Sequence, residues 1–174
     1  MSIHIQYYKT RALGELILGS YHEQLCLLDF RYRKMRQTVD KRLQRYLGAE
    51  FVEQDNTVLT ATRQQLDAYL AGERTAFDLP LLFAGTDFQK AVWNALLEIP
   101  YGSTASYLSL AQHLNKEKAV RAVASANGAN AIAVIVPCHR IIGSHGELVG
   151  YGGGLPIKQR LLQLEGAWAQ PSLL

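Results

Sequence analysis

The run Pro137-Cys138-His139-Arg140 sets a thiol at a proline-fixed turn and follows it at once with an imidazole and a guanidinium. The thiolate is the nucleophilic form of cysteine, and both neighbours can favour it, so this tetrapeptide is suited to attack on carbon. Neighbours on an extended chain face opposite ways, so adjacency alone does not aim His139 at Cys138, and a relay through water or a third group serves equally well. Glu165 is a second anomaly, because a carboxylate in the last turn of a helix opposes the helix dipole and needs another reason to be there. The other cysteine, Cys26, lies in the apolar run Leu25-Cys26-Leu27-Leu28 and reads as a small buried hydrophobe. Gly150-Tyr151-Gly152-Gly153-Gly154 follows no strand in a dinucleotide-binding register and contains no Gly-Lys-Ser/Thr, so it reads as a pocket wall around Tyr151 rather than a phosphate cradle.

Several elements must position these residues. Ala131 to Val136 is wholly apolar and predicts a buried strand or extended segment that delivers Cys138. Pro156 opens a helix through Ile157, Leu161, Leu162 and Leu164 that carries Glu165 and stops at Gly166. Upstream, Thr86-Asp87-Phe88-Gln89 fits a capping box, and Phe88, Val92, Ala95, Leu96 and Ile99 trace a stripe that Pro100 ends. A second helical pattern starts at Ser106 and runs to Leu114, and a third spans about Lys118 to Asn127. The short connection between them is that of a helix-turn-helix. The third helix is nearly all small residues around Arg121, so its backbone can approach a partner closely.

The N-terminal part reads as short strands within Ile3–Phe30, followed by a helix from Thr57 to Leu70 and a boundary between Ala76 and Gly85. The expectation is an α+β protein: a mixed or antiparallel sheet domain over residues 1–80 and a mainly helical, winged helix-turn-helix-like domain over 86–174.

The 174 residues, 48% hydrophobic, suffice for a proper core. Two cysteines exclude a disulfide framework and a four-cysteine zinc site. Neither a secretory leader nor an apolar run of membrane-spanning length is present, so a cytoplasmic protein is expected. The net charge of +3 permits an anionic partner without demanding one, with an excess of one on residues 1–85 and two on 86–174.

Pro137-Cys138-His139-Arg140, together with Arg121-Ala122-Val123, Asn130, Tyr151 and Leu164-Glu165-Gly166, closely resembles the O6-alkylguanine-DNA alkyltransferases. The resemblance covers Thr86 to Ala167 and, more loosely, the N-terminal part, for which it implies a ribonuclease H-like fold. It implies repair by direct reversal: one irreversible transfer of an alkyl group from O6 of guanine, and less well from O4-methylthymine, onto Cys138. In that arrangement Glu165 would hydrogen-bond His139, and His139 would deprotonate Cys138 through an ordered water. The partner would be double-stranded DNA, bound in the minor groove by a monomer. Arg121 would replace the flipped base, Tyr107 would help rotate the nucleotide and then hydrogen-bond the base, and Lys116 and Ser144 would touch the DNA backbone. Asn130 would stiffen the turn before the Pro137-Cys138 segment, Tyr151, Gly152 and Gly153 would close over the alkyl group, and Arg140 would belong to the same pocket. No cofactor is implied, and His4, His22 and Cys26 lack metal-ligand spacing. The alternatives are a helix-turn-helix DNA-binding protein in which Cys138 is structural, and a cysteine hydrolase.

Overall fold

The computed structural model describes residues 1–168. Strands β1 (Ser2–Thr10), β2 (Gly14–Tyr21) and β3 (Gln24–Phe30) form an antiparallel meander, and β4 (Glu50–Glu53) pairs parallel to β1 on the far edge, in the order β3-β2-β1-β4. The sheet is therefore mixed. Between β3 and β4 lies α1 (Arg36–Leu47), which buries only Val39 and Leu43. Val39, Leu43, Tyr46 and Leu47 do recur at helical spacing, but among seven charged or amide side chains, and the sequence reading passed over the stripe. Helix α2 (Thr57–Leu70) starts at Asn56, whose side chain accepts from the Leu59 N–H.

The C-terminal half begins at α3 (Asp87–Leu96), where the Thr86–Gln89 capping box forms as expected. After β5 (Ala105–Ser106) come α4 (Tyr107–His113) and α5 (Val120–Gly128), joined through Asn115 at φ 57° and a 3-10 turn at Glu117–Ala119. Ser106 caps α4 and so stands just outside it. β6 (Ile141–Ile142) pairs parallel with β5, and α6 (Leu155–Leu164) ends at Glu165.

Alternation along β2 divides the core. Leu16 and Leu18 join the cluster that also takes Leu66 and Tyr69 of α2, Trp93 of α3, Val123 of α5 and Leu161 of α6, so the two halves of the chain share one apolar interior. Ile17 faces the other side, with Ile3, Ile5, Val39 and Leu43.

The segment Ala131–Val136 departs from expectation. It is buried throughout, but only Ile132 bridges β3, at Leu28, and the chain then coils through turns with Val134 at φ 70°. Leu28 of β3 takes only the Ala131 carbonyl and the Ala133 N–H, and Asn130 supplies two further partners. Its amide Nδ2 donates to the Val136 carbonyl at 2.8 Å, its Oδ1 accepts from the Ile132 N–H at 2.9 Å, and the Val136 N–H closes back on the Ile132 carbonyl at 3.0 Å. Asn130→Ala strands two buried backbone groups, each worth about 1–3 kcal/mol, so urea denaturation is expected to show about 2–5 kcal/mol lost.

Candidate active site

The turn held by Asn130 runs through Pro137 into a short 3-10 helix, Cys138–Arg140, immediately before β6. Cys138 is 7% exposed and His139 fully buried. The chain reverses through this turn, so His139 and Arg140 both reach Glu165 at the end of α6. His139 Nε2 lies 2.8 Å from Glu165 Oε2, Arg140 Nε donates to Oε1 at 2.8 Å, and Arg140 Nη2 donates to Oε2 at 3.0 Å. A fourth donor arrives from the N-terminal half: Tyr69 Oη, on α2, 2.5 Å from Oε2. The carboxylate at the end of α6 has its reason, since four donors outweigh the opposed dipole.

Burial pushes the Glu165 carboxyl up, but the bonds from His139, Arg140 and Tyr69 prevail and bring it down to about 2. Burial also moves His139 below its ordinary value, against the pull of Glu165, so its imidazole rests neutral. With an ionised Glu165 beyond Nε2, the proton sits on Nε2 and the lone pair on Nδ1, which is buried and has no protein partner. Burial raises the Cys138 thiol above its ordinary value, with the Asn130 amide, Lys158 and Arg33 opposing and Asp29 adding to it. Arg140 is occupied with Glu165 and the Ile99 carbonyl, at 2.6 Å for the latter, so the guanidinium that follows Cys138 in sequence orients the carboxylate instead of favouring the thiolate.

Cys138 opens onto a cleft of about 940 Å³ between the two halves. Tyr107, Asn130, Tyr151 and Gly152 line it, as do Asp29, Arg33 and Gly128. Gly153 does not: a Cβ there would come within 2.6 Å of the Phe30 ring, so its lack of a side chain lets the loop lie on β3. Pro137 stands behind the cleft at the head of the reactive turn. Arg121, Lys116 and Ser144 are exposed, outside the cleft; α5 turns Arg121, Ala122, Ser125 and Gly128 outward.

Residue types and spacing did not single out three contributors. Tyr69 shares the buried side of α2 with Leu59 and Leu66, and only the partner of its hydroxyl sets it apart. Lys158, fully buried, donates to the Val149 carbonyl at 2.5 Å and to that of Gly150 at 3.3 Å; burial lowers it to about 8, against the pull of Cys138. Its spacing from Leu161, Leu162 and Glu165 puts it on the buried stripe of α6, and that was the available signal. Arg33 spans from Asp29, at 3.0 Å, to the Gly128 carbonyl, at 2.5 Å, and fills the space beside Gly152; nothing in its sequence setting marks it.

A ribonuclease-like sheet half packed on a helix-turn-helix half, with a cysteine lining the cleft between them and a buried histidine–glutamate pair next to it in the turn, defines a nucleic-acid-directed cysteine protein. Residues 3–83 match the model of the 6-O-methylguanine DNA methyltransferase ribonuclease-like domain, and residues 87–167 that of the 6-O-methylguanine DNA methyltransferase DNA-binding domain. A methylated-DNA–protein-cysteine methyltransferase of Methanosarcina acetivorans is 45% identical over 155 residues, 89% of this chain and 94% of its own. One from Mycobacterium tuberculosis is 56% identical over 109 residues, 63% of this chain and 66% of its own. The crystal structure of Mycobacterium tuberculosis OGT in complex with DNA superposes with a TM-score of 0.80 at 41% identity, covering 94% of this chain and 93% of that one. The chain belongs to the methylated-DNA–protein-cysteine methyltransferase family.

Acid is expected to loosen this site in two stages. His139 is held neutral in the fold, so stability falls once the unfolded chain can protonate its histidine, below about 6.5. Glu165 has a depressed pKa; its contribution is complete above its ordinary 4.5 and is lost as pH falls toward about 2, on the order of 3 kcal/mol in all. Urea unfolding of Glu165→Gln is expected to show about 3–5 kcal/mol lost at neutral pH, where Arg140 is left unpaired, and a flatter profile between pH 4.5 and 2.

Proposed function

We propose that this protein reverses O6-alkylation of guanine in DNA by moving the alkyl group irreversibly onto Cys138, once per molecule. The observation that carries this reading is the buried Glu165–His139 pair: the Nδ1 of His139 has no partner among the described residues, and His139 follows directly in sequence on the buried thiol that lines the cleft. Because burial holds Cys138 protonated, transfer needs a base, and a neutral imidazole oriented through Nε2 is that base. A water hydrogen-bonded to Nδ1 carries the thiol proton to His139. The thiolate then attacks the methyl carbon, the carbon–O6 bond breaks with its electron pair going to the base, and protonation restores guanine. S-Methylcysteine has no leaving path, so the site works once.

A thiol this deep cannot meet a base that is stacked in a duplex, so the nucleotide must swing out. Arg121, exposed on α5, fills the gap, a role that its exposure supports, and the small exposed residues Ala122, Ser125 and Gly128 suit close approach in a minor groove, where sequence is read poorly. Tyr107 hydrogen-bonds the base, backbone N–H groups of the Tyr151–Gly153 loop meet O6, and Lys116 and Ser144 contact phosphates. O6-Methylguanine is the primary substrate and O4-methylthymine a weaker one. The protein acts as a monomer with residues 1–80 and 86–174 as its two units, in a reducing cytoplasm consistent with two unpaired cysteines.

Intact-mass analysis after incubation with O6-methylguanine DNA is expected to show one added methyl on the peptide containing Cys138. Cys138→Ser is expected to bind such DNA and gain nothing; transfer by that variant, or several turnovers by the wild type, overturns the proposal. The single-turnover rate is expected to hold as pH passes down through about 6.5 and to fall only at lower pH, because burial keeps His139 neutral below the ordinary histidine range and only its protonated form cannot accept the thiol proton.

A further inference from the structure

The near-neutral charge of the N-terminal half conceals a local concentration. Seven of the chain's 18 basic residues fall between Arg31 and Arg45, against one acid, Asp40. Part of this cluster is structural. Arg36 pairs with Asp29 and Asp40, while Arg33 and Arg42 reach across to the end of α5, Arg42 donating to the Ala129 carbonyl at 2.7 Å and to that of Ala84 at 3.1 Å. These bonds fix where α1 stands relative to α5.

Arg31 pairs with Glu15 at 2.8 Å, and the other three are not used by the fold. Lys34, Lys41 and Arg45 are exposed, and none has a carboxylate within ion-pair distance among the described residues. With Thr38 they recur at steps of four, three and four, which sets them on one side of α1. That side lines the same cleft that holds Cys138 and Tyr107 at its floor and Ser125 and Gly128 of α5 on the opposite wall.

We propose that this stripe of α1 is a second DNA contact, in which Lys34, Lys41 and Arg45 bind backbone phosphates of the strand whose base occupies the Cys138 pocket. The inference rests on the reading given under Proposed function. A nucleotide cannot place its base beside Cys138 without drawing its own flanking phosphates to the mouth of the cleft, and the mouth is bordered on the α1 side by cations that nothing else neutralises. Attraction there favours the extruded strand over the stacked one. It also lets a chain with a net charge of only +3 concentrate its cations where the strand leaves the duplex.

The test compares the wild type, the triple variant Lys34→Gln/Lys41→Gln/Arg45→Gln, and a control with the same charge loss away from the cleft, Lys9→Gln/Arg11→Gln/Arg74→Gln. Binding to O6-methylguanine duplex is measured from about 50 to 300 mM salt, and methyl transfer to Cys138 is measured from that duplex and from the free base O6-methylguanine. Each phosphate contact contributes about 0.9 to the slope of log affinity against log salt, so the stripe variant is expected to be shallower by about 2 to 3. Its affinity is expected to fall tenfold or more at about 0.1 M salt, with the free-base rate unchanged. All six residues are exposed or half-buried, so the variants fold, and the unchanged free-base rate verifies it. Equal slopes in the stripe and control variants overturn the inference while leaving transfer to Cys138 intact. Absence of transfer from either substrate in the wild type instead overturns the reading of the site, and this inference with it.

Discussion

Everything about the reactive turn depends on how a carboxylate is kept ionised out of water. Glu165 sits at the wrong end of a helix with its side chain fully buried, and survives there because His139, Arg140 and Tyr69 together supply four hydrogen bonds. Removing the charge from this set is costly, because the guanidinium would then be the unpaired ion. The three donors come from two distant stretches of chain, and only the assembled fold brings them together. The same four bonds that hold Glu165 therefore hold the imidazole in one tautomer and join α2 to α6. Catalytic orientation and inter-half cohesion are one interaction.

A second constraint follows from the shape of the reactive segment. A thiol presented at the floor of a cleft needs irregular backbone around it, and irregular backbone leaves carbonyls that no ladder satisfies. Long cationic side chains fill this need here. Lys158 takes the carbonyls of Val149 and Gly150, Arg33 that of Gly128, Arg42 those of Ala84 and Ala129, and Arg140 that of Ile99. Each buries an aliphatic stem and ends on backbone, so positive charge accumulates around the cleft as a by-product of satisfying it. Lys158 and Arg33 thereby also oppose the burial that raises Cys138.

The parts of this arrangement that were legible in sequence were those written in local pattern. The capping box at Thr86, the helix from Pro156 and the strands up to Phe30 follow from spacing alone, and the reactive tetrapeptide declares itself by residue type. What was not legible was set by partners far along the chain. Ala131–Val136 has the composition of a strand, yet it meets β3 only at Leu28, and one asparagine side chain satisfies two of its other backbone groups where it turns. Helix α1 packs a narrow apolar face, Val39, Leu43 and Leu47, on one side of the sheet and lays its polar side along the cleft, so most of its residues carry no apolar signal. Tyr69 and Lys158 occupy buried stripes at ordinary helical spacing, and only the position of their polar tips reveals what they do. Arg140 shows the converse error: its place beside Cys138 in sequence suggested an electrostatic partner for the thiol, and the chain reversal sends it to Glu165.

The raised thiol pKa gives these pieces a common logic. An exposed, ionised cysteine is open to oxidation and to every passing electrophile, which a protein consumed by a single reaction cannot tolerate. Burial keeps Cys138 protonated and inert, and the energy that burial withholds must be returned only when a substrate fills the cleft. On the function proposed above, the neutral His139, with its lone pair directed by Glu165, returns it at that moment, because a base that already rests uncharged needs no prior titration to accept the proton. Selectivity for a damaged base then resides in access: what can enter between α1, α5 and the Tyr151 loop decides when the thiol is spent, and the resting chemistry of the thiol does not.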